Sequence, residues 1–201
     1  MPQTIWTIAP RAPAASTRQR LIDAATVRFY QHGFHAVGID AIIEDASVTK
    51  TTFYNHFESK DDLIVAVLED QDRRDKEALT EMLATHGGDA RAKTLAIFDL
   101  IADWVNDPGF KGCLFINAGV QFPNPNDPVN KTAARHGANL NRVFTDLAAE
   151  FGAPDPETLG KQFCMLVVAA VTGRHTGGDP EAADTARDIA AALLYPGGAN
   201  A

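Results

Sequence analysis

Val48-Thr49-Lys50-Thr51-Thr52-Phe53-Tyr54-Asn55-His56-Phe57, running on into Glu58-Ser59-Lys60-Asp61-Asp62-Leu63, is the stretch from which the fold follows. On a helical wheel Phe53 and Phe57 lie about 40° apart and form an inward stripe, while Thr51 and Asn55 point nearly opposite. Thr52 and Tyr54 take the flanks. Ile39, Ile42, Ile43 and Ala46 repeat at helical spacing just before, so a short helix, the Ser47-Val48 turn and a second short helix form a helix-turn-helix. In that motif the second helix enters a DNA major groove with its N-terminal residues near the base edges. Periodicity alone leaves another reading open, in which this is the polar face of an ordinary small bundle.

The residue types suit the first reading. Asn can read adenine through two hydrogen bonds, and Thr offers a hydroxyl or a methyl group for thymine. Tyr54, His56 and the start of the next helix with Lys60 can meet phosphates. Thr49 is placed to N-cap a helix running to about Phe57. Ser59 caps the following one, with Asp62 three residues on as a variant of the capping box.

Working outward, the pattern is helical from Ser16 almost to the end. Residues 1–15 are rich in Pro and Ala without a period and are expected to be a mobile arm. Leu21, Ile22, Ala25 and Phe29 mark a first helix that stops at His32-Gly33. The helix opened by Ser59 carries Leu63, Ile64, Val67 and Leu68, then a highly charged stretch from Glu69 to Glu81, and ends near His86-Gly87-Gly88. Asp89 caps a fifth helix, closed by Pro108-Gly109. A short apolar helix around Gly112 to Phe122 runs into the loop Pro123 to Pro128, and a longer helix covers about 128–151. Asp155-Pro156-Glu157 and Asp179-Pro180-Glu181 repeat one start signal and open helices at about 156–175 and 180–195. The prediction is an all-α fold of about nine helices, with a helix-turn-helix domain at 16–60 and a helical body at 61–201.

Composition sets limits. The chain has 201 residues, 45% of them hydrophobic, enough for a substantial core. Two cysteines without paired spacing fit a reducing compartment and no disulfide framework. Met1 to Ala15 carries one basic residue, Arg11, and no unbroken apolar run, so a secretory signal is not expected. The longest apolar run, Phe163 to Val171, falls far short of a membrane span. A cytoplasmic protein is the expectation. The net charge of −8 is unevenly placed: residues 1–60 hold six Lys/Arg and five Asp/Glu, a net of +1, and the remaining 12 and 21 give −9. The acidic remainder would be kept off a phosphate backbone, and the N-terminal part permits DNA binding without arguing for it.

Thr17 to Leu63 closely resembles the N-terminal domain of the TetR family of bacterial transcriptional regulators. The matching residues are Leu21 to Ala25, Phe29, Gly33-Phe34, Ile42, Ala46, Val48, Lys50, Thr52 to Tyr54, His56-Phe57, Ser59-Lys60 and Leu63, with the family's spacing throughout. The resemblance implies a homodimer whose three-helix heads each read half of a double-stranded operator, and a larger helical body that binds a small-molecule effector. It makes Lys50, Thr51, Thr52 and Asn55 candidate base readers. Tyr54, His56 and Lys60 become phosphate contacts, with Thr49 beside them. Three residues depart from the family's habit. Ser47 stands where a turn Gly is usual, at a cost on the order of 1 kcal/mol if left-handed. Gly38 stands where Thr or Ser often caps, and Thr51 replaces a frequent Gly.

Beyond residue 65 the resemblance is weak, although Gly112-Cys113-Leu114 looks like a segment found in one branch of these regulators. Phe98, Ile101, Trp104, Phe110 and Phe163 are first of all core residues. A subset of them, with Cys113, Asn117, Gln121 and His136, is the expected lining of an effector pocket. Phe163 to Val171 is apolar all round, and Ala186, Ile189, Ala190, Leu193 and Leu194 form a small-residue stripe. A dimer interface is expected at Phe163, Leu166, Val167, Ala170, Ile189, Ala190, Leu193 and Leu194.

An enzyme is the main rival. The chain holds no Gly-rich phosphate loop, GxSxG elbow, HExxH or Cys-pair metal site, and its histidines are scattered, so no catalytic residue, metal or cofactor is expected. A redox-responsive regulator acting through Cys113 or Cys164 is the alternative. Both thiols sit in apolar surroundings that raise a thiol pKa and make it inert.

Overall fold

The computed structural model describes residues 16–195, so the expected arm at 1–15 lies outside the described residues. Among the described residues there are nine α-helices and no strand. They are α1 Thr17–His32, α2 Ile39–Asp45, α3 Lys50–Tyr54, α4 Lys60–Thr85, α5 Ala90–Val105, α6 Leu114–Gln121, α7 Pro128–Glu150, α8 Pro156–Gly177 and α9 Ala182–Leu194. No helix among the described residues is long and apolar enough to cross a membrane.

Local signals in the sequence place most helix starts. The Ser16, Thr49, Asp89 and Asp155 side chains each accept a hydrogen bond from the backbone N–H three residues on. At α4, Ser59 Oγ accepts from Asp62 N (3.1 Å), and Asp62 Oδ2 accepts from Glu58 N (3.2 Å). Two expectations need correcting. The helix expected to reach Phe57 ends at Tyr54, because Asn55 and His56 turn the chain towards α4. Phe57 N still donates to Phe53 O at 3.0 Å, so the two rings stay neighbours, 5.8 Å between centroids. The second Asp-Pro-Glu does not open its helix as the first one does. Asp179 Oδ1 accepts from Glu181 N at 2.9 Å in a tight turn, and α9 begins only at Ala182.

The chain divides into two compact units. One comprises the described residues up to Lys76 together with Cys113–His136, and the other Glu77–Gly112 with the described residues from Gly137 on. The first unit holds the helix-turn-helix. Its core takes Leu21, Ile22, Ala25 and Phe29 from α1, Phe34 and Val37 from the following loop, Ile42 from α2 and Phe53 from α3, with Phe57 beyond it. Leu63, Ile64, Val67 and Leu68 of α4 complete it with Leu114, Phe115 and Ala118 of α6, Phe122, and Val129 and Ala133 of α7.

In the second unit α5, α8 and α9 pack on one another. Phe98, Phe144 and Phe163 form a three-ring centre with centroids 5.4–6.0 Å apart. Gly160 allows α8 to lie against α7, since a Cβ there would sit 2.3 Å from Thr145 Oγ1. Arg91 lies over the Phe151 ring at 4.4 Å and donates from Nε to Leu194 O at 3.3 Å.

Candidate nucleic-acid interface

The helix-turn-helix is held by its own short-range chemistry. Ser47 is left-handed at φ 52°, the single non-glycine residue with positive φ among the described residues. The turn therefore demands the conformation for which glycine is usual, and Ser there costs roughly 1 kcal/mol. Gly38 is the N-cap of α2 and, lacking a side chain, makes no capping bond. Arg28 of α1 clips Asp45 at the end of α2 through two hydrogen bonds of 2.5 and 2.7 Å. That bond holds the Asp45 carboxyl below the ordinary carboxylate range and raises the guanidinium of Arg28.

Against this frame α3 turns Phe53 inward, fully buried, and leaves Thr51, Tyr54, Asn55 and His56 exposed. Tyr54 is 51% exposed although its ring packs edge-on against Phe53 at 5.2 Å between centroids. Thr52 is half-buried, and its hydroxyl lies 2.8 Å from that of Thr49. Thr49 Oγ1 also accepts from Thr52 N at 3.1 Å, so both hydroxyls are tied to each other at the helix start. Lys50 is exposed and pairs with Asp40 of α2, Nζ to Oδ1 3.2 Å. Asn55 is the C-cap of α3 and is exposed.

Lys60 is turned inward. Its Nζ donates to Phe34 O (2.8 Å) and Val37 O (3.0 Å), closing the α1–α2 loop onto the start of α4. An ammonium has three donors, so one remains for a phosphate.

The nine residues expected at a pocket fall into both units. Phe98, Ile101, Trp104, Phe110 and Phe163 belong to the second, where Phe98, Ile101 and Phe163 are core and Trp104 meets Phe110 edge-on at 5.1 Å. Cys113, Asn117, Gln121 and His136 belong to the first. Gln121 is engaged with the α1–α2 loop: its Oε1 accepts from Phe34 N (3.0 Å) and His35 N (3.3 Å). The side chain of His35 returns the contact, its Nε2 lying 2.9 Å from Gln121 O and its ring 4.9 Å from that of Phe122. His136 stacks flat on Phe115 at 3.6 Å and bonds Asp72 Oδ1 through Nδ1 at 2.7 Å.

The charged run from Glu69 to Glu81 is not all solvated. Gln71 and Asp75 are 5% and 4% exposed, and Gln71 Nε2 donates to Asp75 Oδ1 at 2.7 Å. With Asp72 they give α4 a polar inner face that sequence reasoning missed; the Gln71/Asp75 spacing of one helical turn was its only signal. Burial pushes the Cys113 thiol up to about 11, and burial raises Cys164 to about 11 as well, against a hydrogen bond with Asn141.

The expected interface residues divide by burial. Phe163, Val167, Ala170, Ala190 and Leu194 are buried within their own unit, where they serve its core. Leu166 and Leu193 are half-buried and Ile189 is 45% exposed. The outward apolar residues missed from sequence are Met165 (71% exposed) and Val168 (47%) on α8. An all-apolar run such as 163–171 carries no mark of which side faces out.

Comparison with known proteins agrees with this geometry. The family model for bacterial regulatory proteins of the tetR family matches residues 21–67. FasR, a transcriptional activator of Mycolicibacterium smegmatis, is 42% identical over 59 residues, 29% of this chain and 27% of its own length. NemR, a transcriptional repressor of Escherichia coli, is 29% identical over 106 residues, 52% of this chain and 53% of its own. The matched segments thus span about a quarter to a half of these curated relatives. The crystal structure of a TetR-family transcriptional regulator from Streptomyces coelicolor is 34% identical and covers 90% of this chain and 95% of its own, with a TM-score of 0.82. The chain belongs to the TetR family of bacterial transcriptional regulators.

Proposed function

We propose that this DNA-binding regulator is a ligand-responsive repressor that binds a palindromic operator as a homodimer. The observation that carries the DNA-binding part is the division of α3 and the turn after it, with Phe53 buried and Thr51, Tyr54, Asn55 and His56 exposed. Lys50, Thr51, Thr52 and Asn55 read bases, and Thr49, Tyr54, His56 and Lys60 place the helix on phosphates. The dimer rests on α8 and α9, where Met165, Val168 and Ile189 are large apolar side chains open to solvent. Two-fold symmetry of the protein then asks for two-fold symmetry in the site.

The effector acts by population shift, binding the form that does not hold DNA more tightly than the form that does. Two features support a route to the head. Helix α4 runs without a break from Lys60, which holds the α1–α2 loop, to Thr85. Helix α6 ends at Gln121, which holds the same loop. Selection of bound fragments from sheared genomic DNA tests the proposal, with sedimentation at micromolar concentration beside it. Inverted repeats and a dimer are expected; fragments with a single unrepeated motif, or a clean monomer, would refute the palindromic reading.

A further inference from the structure

Lys50 is the first residue of α3, and Asp40 lies in the first turn of α2. Lys50 Nζ stands 3.2 Å from Asp40 Oδ1, with the two side chains 62% and 84% exposed. So open a pair contributes little to stability, since water screens it and holding it restricts a long side chain. Its consequence lies where the protein meets DNA. A lysine is a flexible point charge that settles on the nearest anion, and on DNA the nearest anions are phosphates, which carry no sequence.

We propose that Asp40 is a specificity-determining residue that acts by positioning Lys50. Its carboxylate competes with the phosphates for the ammonium and keeps it between the starts of α2 and α3. Lys50 retains two further N–H donors there, which guanine O6 and N7 can accept. One positive charge is thereby withdrawn from sequence-independent attraction and offered to a base edge. The inference rests on Lys50 reading bases, as proposed above.

The test uses the full chain, a duplex recovered by fragment selection, and a scrambled duplex of equal length and composition, each titrated at several salt concentrations. Asp40→Asn should tighten binding to the scrambled duplex about 3- to 10-fold and steepen its salt dependence by about one released counterion per head. The preference for the recovered duplex should fall accordingly, and Asp40→Glu should restore most of it. In a Lys50→Ala background Asp40→Asn should change neither quantity. An unchanged salt slope in Asp40→Asn overturns the proposal. So does equal tightening with Lys50→Ala present, because the carboxylate would then repel phosphates directly. If Lys50→Ala itself leaves the preference intact, the base-reading role of Lys50 fails first. The scrambled-duplex measurement stands even if no operator is recovered.

Discussion

Gln121 Oε1 accepts the backbone N–H of Phe34 at 3.0 Å, tying the end of α6 to a loop 87 residues earlier in the chain. Phe34 is fully buried, so its N–H has little access to water as an alternative partner. Gln121→Leu keeps the size and removes the acceptor. It should lower stability by about 1–3 kcal/mol, the range for a donor left unsatisfied in a part-buried site. Gln121→Glu retains an acceptor and should lose much less. Urea midpoints of the two variants decide the matter, and equal losses would refute the hydrogen bond as the cause.

Tyr54 and Asn55 differ in what their loss should do to DNA recognition. Tyr54→Phe removes one hydroxyl from a side chain 51% exposed and should weaken binding to all duplexes alike. Asn55→Ala should relax preference at one or two positions by about 1–3 kcal/mol each. Binding to a panel of single-base variants separates the two, and an altered base preference in Tyr54→Phe would count against its phosphate role.

Two backbone positions in the helix-turn-helix predict opposite signs. Gly38 caps α2 at φ −84°, and an added Cβ would meet nothing within 4 Å. Gly38→Ser should therefore stabilise by about 0.5–1 kcal/mol through a new cap and a stiffer unfolded chain. Ser47 is left-handed, so Ser47→Val should destabilise by about 1–2 kcal/mol. Thermal melts of both variants read the signs directly.

Arg28 and Asp45 predict a dependence on acid. The folded pKa of Asp45 is depressed from 3.8, first by the Arg28 hydrogen bond. A depressed carboxylate contributes stability above its unfolded pKa and loses it as pH falls through the folded one. The gap in urea midpoint between the wild type and Asp45→Asn should thus be full near neutrality and shrink below about pH 4. Salt should narrow it too, because the pair is exposed. A gap that widens in acid would overturn the assignment.

The thiols bear on the redox alternative. With both raised to about 11, roughly one in a thousand is ionised at pH 8. Native protein should react with a disulfide reagent far more slowly than unfolded protein at that pH. Reaction at the rate of a free cysteine would reinstate a redox-responsive regulator.

Most helix starts were legible because a cap is written within four residues: Ser16, Thr49, Ser59, Asp89 and Asp155 each announce one. The inward pair Phe53 and Phe57 was legible for a similar reason, being one helical turn apart. What sequence could not show is what distant residues do to one another. Lys60 reads as a free cation until Phe34 O and Val37 O are found beside it, and Lys50 until Asp40 is. Gln71 and Asp75 look solvated because charged and amide side chains usually are. Which residues of α8 face inward was illegible because every side of the run from Phe163 to Val171 is apolar.

The core beneath the helix-turn-helix takes Leu114, Phe115, Ala118, Phe122, Val129 and Ala133 from far along the chain. The DNA-reading head is therefore not a cassette. A graft ending within α4 would leave Phe34 and its neighbours without their cover, whatever operator its surface residues suited. Exchange of heads between relatives, in the laboratory or by recombination, has to carry α6 and the start of α7 along, or else find a recipient whose own α6 already fits.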